Sequence, residues 1–522
     1  MFAAIRTLLT QLCDPNSSTT ADSTDSGALS LPTIAKPDLE DGLQALTLAD
    51  DALQASSTTP WSASQKIGLL PNELIAEIFA TTCHADSYTF SMDVNRRKRT
   101  TPLILGKVCT QWRTITWSTP YIWSHISLNL STPRYETQVK LLSDWLKRSG
   151  VCPLTINLIF DCEDEWTDII PSELIQLLVV SANRWRAINL VLPESWYSFL
   201  ADLKYSFPLL VTVVSQPLWA DCGLTPSKRK RFNLFEFAPL LRDVHVDGYY
   251  LSNVDIPWEQ LDRFTLQHVY LDECFYALVK TPNLTYCRIY TILINDVNRD
   301  TAENSIELPL LQELVIHSAS WANISRLLSK MTVPLLETLK ISASRFESEP
   351  VELPASFLCD PNCLLKRLRL SEWSFIGEDF EFVQYLRNIP SLEELDIYMQ
   401  FGPPITELLH HILELAEPNS PSSSPSDDDT TFLPNLQIFK FSGSIHVPDN
   451  TYDDNLTSLI ERRLEHSKRC SATPPVSRLK VLEVITEETY PFTPTPSVKQ
   501  RLCKLADEGL QLKVKFSEAS WF

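Results

Sequence analysis

The residue types that do chemistry are present in this chain but scattered. Twelve cysteines form no Cys-x-x-Cys pair, and the closest two, Cys359 and Cys363, have no histidine nearby to complete a zinc set. His410 and His411 are adjacent on a predicted helix, so they point about 100° apart and cannot grip one ion as an i, i+4 pair does. The acidic stretch from Asp161 to Asp168 lacks the Asp-x-Asp-x-Asp-Gly order of a calcium loop. Phosphate-cradling loops and nucleophile elbows need two or three glycines close together, because backbone must approach a ligand or turn with φ > 0. The chain has 11 glycines, no two closer than 15 positions, which excludes those motifs. No Ser, Cys or His stands in a recognisable nucleophile context. The expectation is a protein that is not an enzyme, with no catalytic residue, no metal site and no cofactor.

Function must then lie in surfaces, and composition limits which. Lys and Arg number 45 against 65 Asp and Glu, a net charge of −20, so a broad phosphate-binding face is not expected and neither is a nucleic-acid partner. No N-terminal stretch has the basic start, apolar middle and small-residue cleavage site of a signal peptide. No run approaches 18 apolar residues, so no membrane partner is expected and the chain reads as soluble, cytoplasmic and/or nuclear. The basic run Lys228 to Arg231 reads as a solvated loop rather than a localisation signal. With 522 residues and 44% hydrophobic content, a large core is available. Residues 1–64, rich in Ser and Thr with eight acidic residues and no aromatics beyond Phe2 before Trp61, read as a disordered acidic leader. A second Ser/Pro/Asp segment, about 417–431, reads as a disordered surface insertion.

The remainder is dominated by one pattern, apolar-x-x-apolar-x-apolar. Clear copies begin at Leu241, Leu261, Leu284, Leu311, Leu336, Leu365, Leu392, Leu436 and Leu479, with weaker ones at Trp185 and Leu210. Spacings between successive starts from 241 to 392 run from 20 to 29 residues. Pro208, Pro239, Pro282, Pro309, Pro334, Pro390 and Pro434 each stand two residues before the first apolar position, where proline stops a preceding helix and fixes where a strand begins. Between copies lie segments with helical spacing, such as Trp321, Ile324, Leu327, Leu328 and Met331, or Phe380, Val383, Leu386 and Ile389. Strand then helix every 25 residues or so resembles a leucine-rich-repeat solenoid. Parallel strands are expected on its concave side and helices on its convex side. The position that normally carries Asn or Cys here holds Val269, Ile292, Ala319, Ser344, Trp373 and Gln400, so an irregular arc is expected rather than a uniform horseshoe. Within each strand the residue between the last two apolar positions points away from the core. That picks out His245, Thr265, Arg288, Val315, Lys340, Arg369 and Asp396 as candidates for a partner-facing row.

The most informative segment lies nearer the N-terminus. Residues 68–82 read Gly-Leu-Leu-Pro-Asn-Glu-Leu-Ile-Ala-Glu-Ile-Phe-Ala-Thr-Thr, with Leu70, Leu74, Ile75, Ile78 and Phe79 on one helical stripe. Pro71 and Glu73 suit a first helical turn. Leu105, Val108, Trp112 and Ile115 repeat the helical spacing, and Ser118-Thr119-Pro120-Tyr121-Ile122-Trp123 follows. Leu-Pro-x-Glu-Leu-x-x-Glu-Ile-Phe, Val-Cys-x-x-Trp-Arg-x-Ile and Ser-Thr-Pro-x-x-Trp, in that order, resemble the F-box-like domain of fungal F-box proteins. Leu142 to Gly150 followed by Pro153 to Leu158 is similar to the first unit of their agaric-type members. The resemblance implies an α/β protein in which a short all-helical F-box-like module over 65–127 precedes an irregular leucine-rich-repeat-like region over 128–522. It implies a Skp-type adaptor as partner and, through it, a cullin–RING ligase, with the repeat region capturing a protein substrate it does not identify. The implied adaptor face is Leu70, Pro71, Leu74, Ile75, Ile78 and Phe79 with Val108, Cys109, Trp112 and Ile115. One departure is an insertion at about 83–101, carrying Arg96-Arg97-Lys98-Arg99. The implied function is that of a substrate receptor of an SCF-type ubiquitin ligase. The same signature also fits an F-box scaffold or interaction protein with no role in degradation.

Overall fold

The computed structural model describes residues 70–84, 101–160, 172–193, 196–197, 200, 206–218, 233–293, 305–318, 320–343, 364–371, 386–399, 433–443, 452–468, 477–486, 495–516 and 519–520. The expected leader, the 417–431 insertion, Lys228 to Arg231, Asp161 to Asp168, the Cys359/Cys363 pair and His410–His411 lie outside these residues, as does all but the ends of the 83–101 insertion. The chain divides into two compact units, residues 1–196 with 205–210, and residues 197–204 with 211–522. The expected boundary at 127/128 therefore does not separate compact units: the helical segment and the first three strands share one.

In the first unit, α1 (Asn72–His84), α2 (Pro102–Leu105) and α3 (Thr110–Ser118) precede the strand β1 (His125–Leu130). The Pro71 carbonyl accepts the first helical hydrogen bond of α1, from the Ile75 N–H at 3.2 Å. The expected single stripe through Leu105, Val108 and Trp112 is broken into two helices. Cys109, extended at φ −160°, ends the turn after α2 and its Sγ accepts from the Trp112 N–H at 3.5 Å as the cap of α3. Gly106 sits under the Trp117 ring so closely that a Cβ there would come within 2.1 Å of it. The third sequence block turns inward. Trp123 is buried, donates from Nε1 to the Thr116 carbonyl at 2.8 Å, and meets Trp117 and Trp145 edge-on at 5.3 and 5.4 Å. Arg148, at the end of α4 (Tyr135–Arg148), covers the Trp123 ring at 5.0 Å. The Pro120–Trp123 turn and α4 pack on β1, which pairs in parallel with β2 (Leu154–Phe160), itself paired with β3 (Trp185–Pro193); α5 (Ser172–Val180) lies between the last two in the chain.

The second unit is a sheet in which each strand lies beside its predecessor. Its parallel strands are β4 (Thr212–Leu218), β5 (Asp243–Asp247), β6 (Arg263–Tyr270), β7 (Tyr286–Leu293), β9 (Glu313–Ser318), β11 (Thr338–Ala343), β12 (Arg367–Ser371), β13 (Glu394–Met399), β14 (Ile438–Gly443), β15 (Val481–Thr486) and β16 (Gln511–Phe516). The short β17 (Ala519–Ser520) closes the edge antiparallel, and β8 (Ile306–Glu307) pairs separately with β10 (Met331–Thr332). Among the described residues, α6 (Leu271–Val279), α7 (Trp321–Leu328), α8 (Tyr452–Lys468) and α9 (Pro496–Asp507) lie between or after strands.

Register explains the repeat. Val244, Phe264, Cys287, Leu314, Leu339, Leu368, Leu395, Phe439 and Leu482 form one continuous row across the strands. Val246, Leu266, Ile289, Ile316, Ile341, Leu370, Ile397, Phe441 and Val484 form the next, and every member of both rows is buried. The repeated prolines have a more specific place than expected. Each is the second residue of a β-turn whose closing N–H comes from the first leucine of its unit: Leu210 to Phe207, Leu241 to Ala238, Leu284 to Thr281, Leu311 to Leu308, Leu336 to Val333, Leu392 to Ile389 and Leu436 to Leu433. Proline's fixed φ suits that position. The closing leucines are all fully buried, and the strand starts two residues later.

Candidate functional site

Of the ten residues implied as an adaptor face, the first unit buries four. Ile75, Ile78, Phe79 and Ile115 lie in its core, where the Phe79 ring meets Trp112 at 4.6 Å. They are packing residues, because the stripe wide enough to seat α1 is the one that faces α3 and the one-turn helix Pro120–Trp123. Cys109 is the α3 cap, and it and Trp112 are half-buried. What remains at the surface is Pro71, Leu74 (52% exposed) and Val108 (36%), with Leu70 half-buried. Leu103, Trp117 and Tyr121 are further exposed large side chains of the same helical segment that sequence spacing did not single out. A hydrogen bond from Gln111 Nε2 to Asn72 Oδ1 at 3.2 Å clasps the start of α1 to α3.

In the second unit the seven residues expected to face away from the core are brought together. His245 pairs in register with Thr265, Thr265 with Arg288, Arg288 with Val315, Val315 with Lys340, Lys340 with Arg369 and Arg369 with Asp396. The row continues through Lys440, Glu483 and Lys513. One expectation fails: Val315 belongs to the row but is buried, so it contributes no accessible surface. A row is a product of parallel pairing without register slip; sequence alone gives the members, not their alignment.

Charges along the row are mostly neutralised locally. Lys340 Nζ lies 2.8 Å from Glu313, Arg369 Nε 3.5 Å from Asp396, Lys440 Nζ 2.8 Å from Glu394, and Lys513 is bonded to Glu483. The Glu394 bond pushes the Lys440 pKa up, and burial raises that of Asp396 despite Arg369 and Lys440. Arg288 is different. Its Cζ lies 5.3 Å from the Tyr286 ring centre and 5.5 Å from that of Tyr290, between the two tyrosines of its own strand. Arg263 covers the other part of Tyr286 at 4.1 Å, and His317 stacks on Tyr290 at 4.8 Å. Burial, then the positive field of Arg288 and Arg369, lowers the His317 pKa; burial lowers that of His245 in the same way. Tyr286, Tyr290 and His317 were not singled out in the sequence, although the Tyr-x-Arg-x-Tyr alternation around Arg288 carries the signal.

Three consecutive strands share one unusual backbone step beside this cluster, directly after β5 and inside β6 and β7. Gly248, His268 and Thr291 follow the buried Val246, Leu266 and Ile289 by two residues, and all have positive φ, +67°, +46° and +56°. The step restarts the alternation, so that Val269 and Ile292 turn inward and are buried where a regular repeat has its asparagine. His268 Nδ1 meets the buried Asp247 carboxylate at 2.7 Å, which raises the His268 pKa. In the first unit the corresponding row is polar and uncharged: Asn157 Nδ2 donates to Ser127 Oγ at 3.3 Å and Asn189 Nδ2 to Asn157 Oδ1 at 2.8 Å. This short amide ladder was not foreseen.

No group of three or more His, Cys, Asp or Glu side chains able to hold a metal ion comes together among the described residues. Cys274 and Cys287 are buried, and burial pushes the Cys287 thiol up to about 12. No helix among the described residues is long and apolar enough to cross a membrane.

The fold and these surfaces define a mixed α/β protein built on a large parallel sheet of successive strand units, compatible with a solenoid-like repeat. No family model matches the chain, and no curated protein does. Among solved structures, a protein from Bacteroides fragilis is similar at 12% identity over 72% of this chain and 77% of that one, with a TM-score of 0.29. A likeness that loose carries no argument about fold or function.

Proposed function

We propose that this chain is the substrate receptor of an SCF-type cullin–RING ubiquitin ligase. Its helical segment is an F-box-like module that docks a Skp-type adaptor, and its sheet of repeats is a leucine-rich-repeat-like region that captures a protein to be modified. The observation that carries the reading is the edge of the helical segment. Of the apolar residues in the Leu-Pro-x-Glu-Leu and Val-Cys-x-x-Trp-Arg blocks, Pro71, Leu74 and Val108 stay at the surface while Ile75, Ile78, Phe79 and Ile115 are spent on the core. Exposed apolar side chains in a small helical segment are what a partner helix needs, since each one fully covered contributes about 1.5–3 kcal/mol. The test is co-purification of the full chain with a Skp-type adaptor and cullin, followed by a comparison of ubiquitin-modified proteins with and without it. Leu70→Ala with Pro71→Ala is expected to lose at least ~2 kcal/mol of adaptor affinity, about thirtyfold. Wild-type chain that ignores the adaptor at micromolar concentration overturns the reading.

A further inference from the structure

We propose that the cluster around Arg288 is an anion-recognition site, which takes a carboxylate or phosphate group on a segment of a protein partner. As a statement of what the receptor captures it rests on the function proposed above, whereas the site itself stands on the second unit alone.

The argument starts from the nine outward positions centred on Arg288. On β6, β7 and β9 these are Arg263, Tyr286 and Glu313, then Thr265, Arg288 and Val315, then Gln267, Tyr290 and His317. Glu313 is the one carboxylate among them, and Lys340 holds it at 2.8 Å. Of the five Lys and Arg residues in the middle row, Lys340, Arg369, Lys440 and Lys513 each have a carboxylate partner. Arg288 has none among the described residues, and its buried Nε–H finds no acceptor there. What flanks it instead is two tyrosine rings. Ring faces attract a guanidinium but leave its in-plane N–H donors unused, and those donors match the two oxygens of a carboxylate or phosphate. The surrounding groups are suited to the same guest: Arg263, which is also coupled to Asp243 on the neighbouring strand, adds a second cation, and the His317 ring stacked on Tyr290 carries a ring N–H to donate.

The backbone gives an independent indication. Among the described residues, His268 and Thr291 are two of the three non-glycine residues with positive φ, and each directly follows an outward residue of the site, Gln267 or Tyr290, within its strand. A β-branched residue in that region is strained, and such strain clusters at binding sites. The net charge of −20 does not oppose the assignment. At physiological salt, fields between exposed groups are screened within ~8 Å, so a ligand on Arg288 senses the groups around it, with Glu313 held by Lys340, and not the distant acids.

The test uses the full chain without adaptor and fluorescein-labelled octapeptides of one sequence carrying two phosphoserines, two glutamates or two glutamines. Binding of the phosphoserine or the glutamate peptide, weakened at least tenfold by Arg288→Gln and unaffected by Lys513→Gln, is expected, and the preferred peptide identifies the anion. Arg288→Lys, which keeps the charge and loses the planar fork, is expected to weaken binding at least fivefold; it serves if the Gln variant does not fold. The assignment is overturned if no charged peptide binds, if the glutamine peptide binds equally well, if Arg288→Lys and Arg288→Gln bind as wild type does, or if anionic phosphatidylserine vesicles are captured while the peptides are not. Because no adaptor is present, failure of the F-box reading leaves this result unchanged. Loss of adaptor binding with peptide capture intact would refute only that reading.

Discussion

Leu74 and Ile75 are neighbours in α1 and about 100° apart around its axis, which makes them a sharp test of which side of the helix is packed. Ile75 is fully buried and Leu74 is 52% exposed. Ile75→Ala removes buried methyl groups from a site shared with α3, and such truncations cost about 2–5 kcal/mol. Leu74→Ala removes a side chain that keeps half its surface in water. Half of the ~1.5–3 kcal/mol for a fully buried leucine leaves about 0.7–1.5 kcal/mol of stability at stake. Docking would cover the remaining half, which gives a similar ~1 kcal/mol of affinity, or about fivefold. The assays are urea unfolding followed by tryptophan fluorescence, which reports on Trp112, Trp117, Trp123 and Trp145 of this unit, and titration with the adaptor. The expected result is a double dissociation: Ile75→Ala shifts the unfolding midpoint strongly, while Leu74→Ala shifts it little and weakens adaptor binding. Equal destabilisation by the two variants would refute the assigned packing face. A stable Leu74→Ala protein with unchanged adaptor affinity would refute the docking face.

Gly106→Ala is expected to destabilise the first unit by roughly 1–3 kcal/mol, because a Cβ 2.1 Å from Trp117 forces the ring to move; a lower melting temperature with a shifted tryptophan emission maximum is the readout. In the second unit, Thr291→Gly relieves a left-handed backbone cost of about 1–2 kcal/mol but adds ~0.4–1 kcal/mol of unfolded-chain entropy, so a gain of about 0–1.6 kcal/mol is expected. Gly248→Ala, at φ +67°, should lose a comparable amount, and both are read from urea midpoints at constant slope. The Asp247–His268 pair raises the histidine pKa above 6.5, so its contribution is complete below that pH and is lost as pH rises through the higher folded value. The stability difference between wild type and His268→Gln should therefore be largest in mild acid and shrink toward alkaline pH. His317, whose pKa is lowered, acts in the opposite sense: neutral in the fold, it costs stability as pH falls below 6.5, and His317→Gln should reduce that acid sensitivity.

Much of the second unit was determined by the sequence itself, for a local reason. The turn proline, the leucine two residues on and the two alternating apolar positions are all set within eight residues, where backbone sterics and side-chain alternation act without long-range help. The outward candidates followed from the same alternation, and all but Val315 keep some exposure. Tertiary structure decided what alternation cannot. Only the pairing of separate strands aligns His245 through Asp396 into one row, shows that among the described residues Arg288 is the one Lys or Arg of that row without a carboxylate partner, and places Tyr286, Tyr290 and His317 around it. The helical segment shows the same division more severely. Its spacing marked Ile75, Ile78, Phe79 and Ile115 as apolar, yet a stripe has the same period whether it meets its own core or a partner. The burial of these four, and the exposure of Leu74 and Val108, was settled by where α3 and the Trp123 cluster pack.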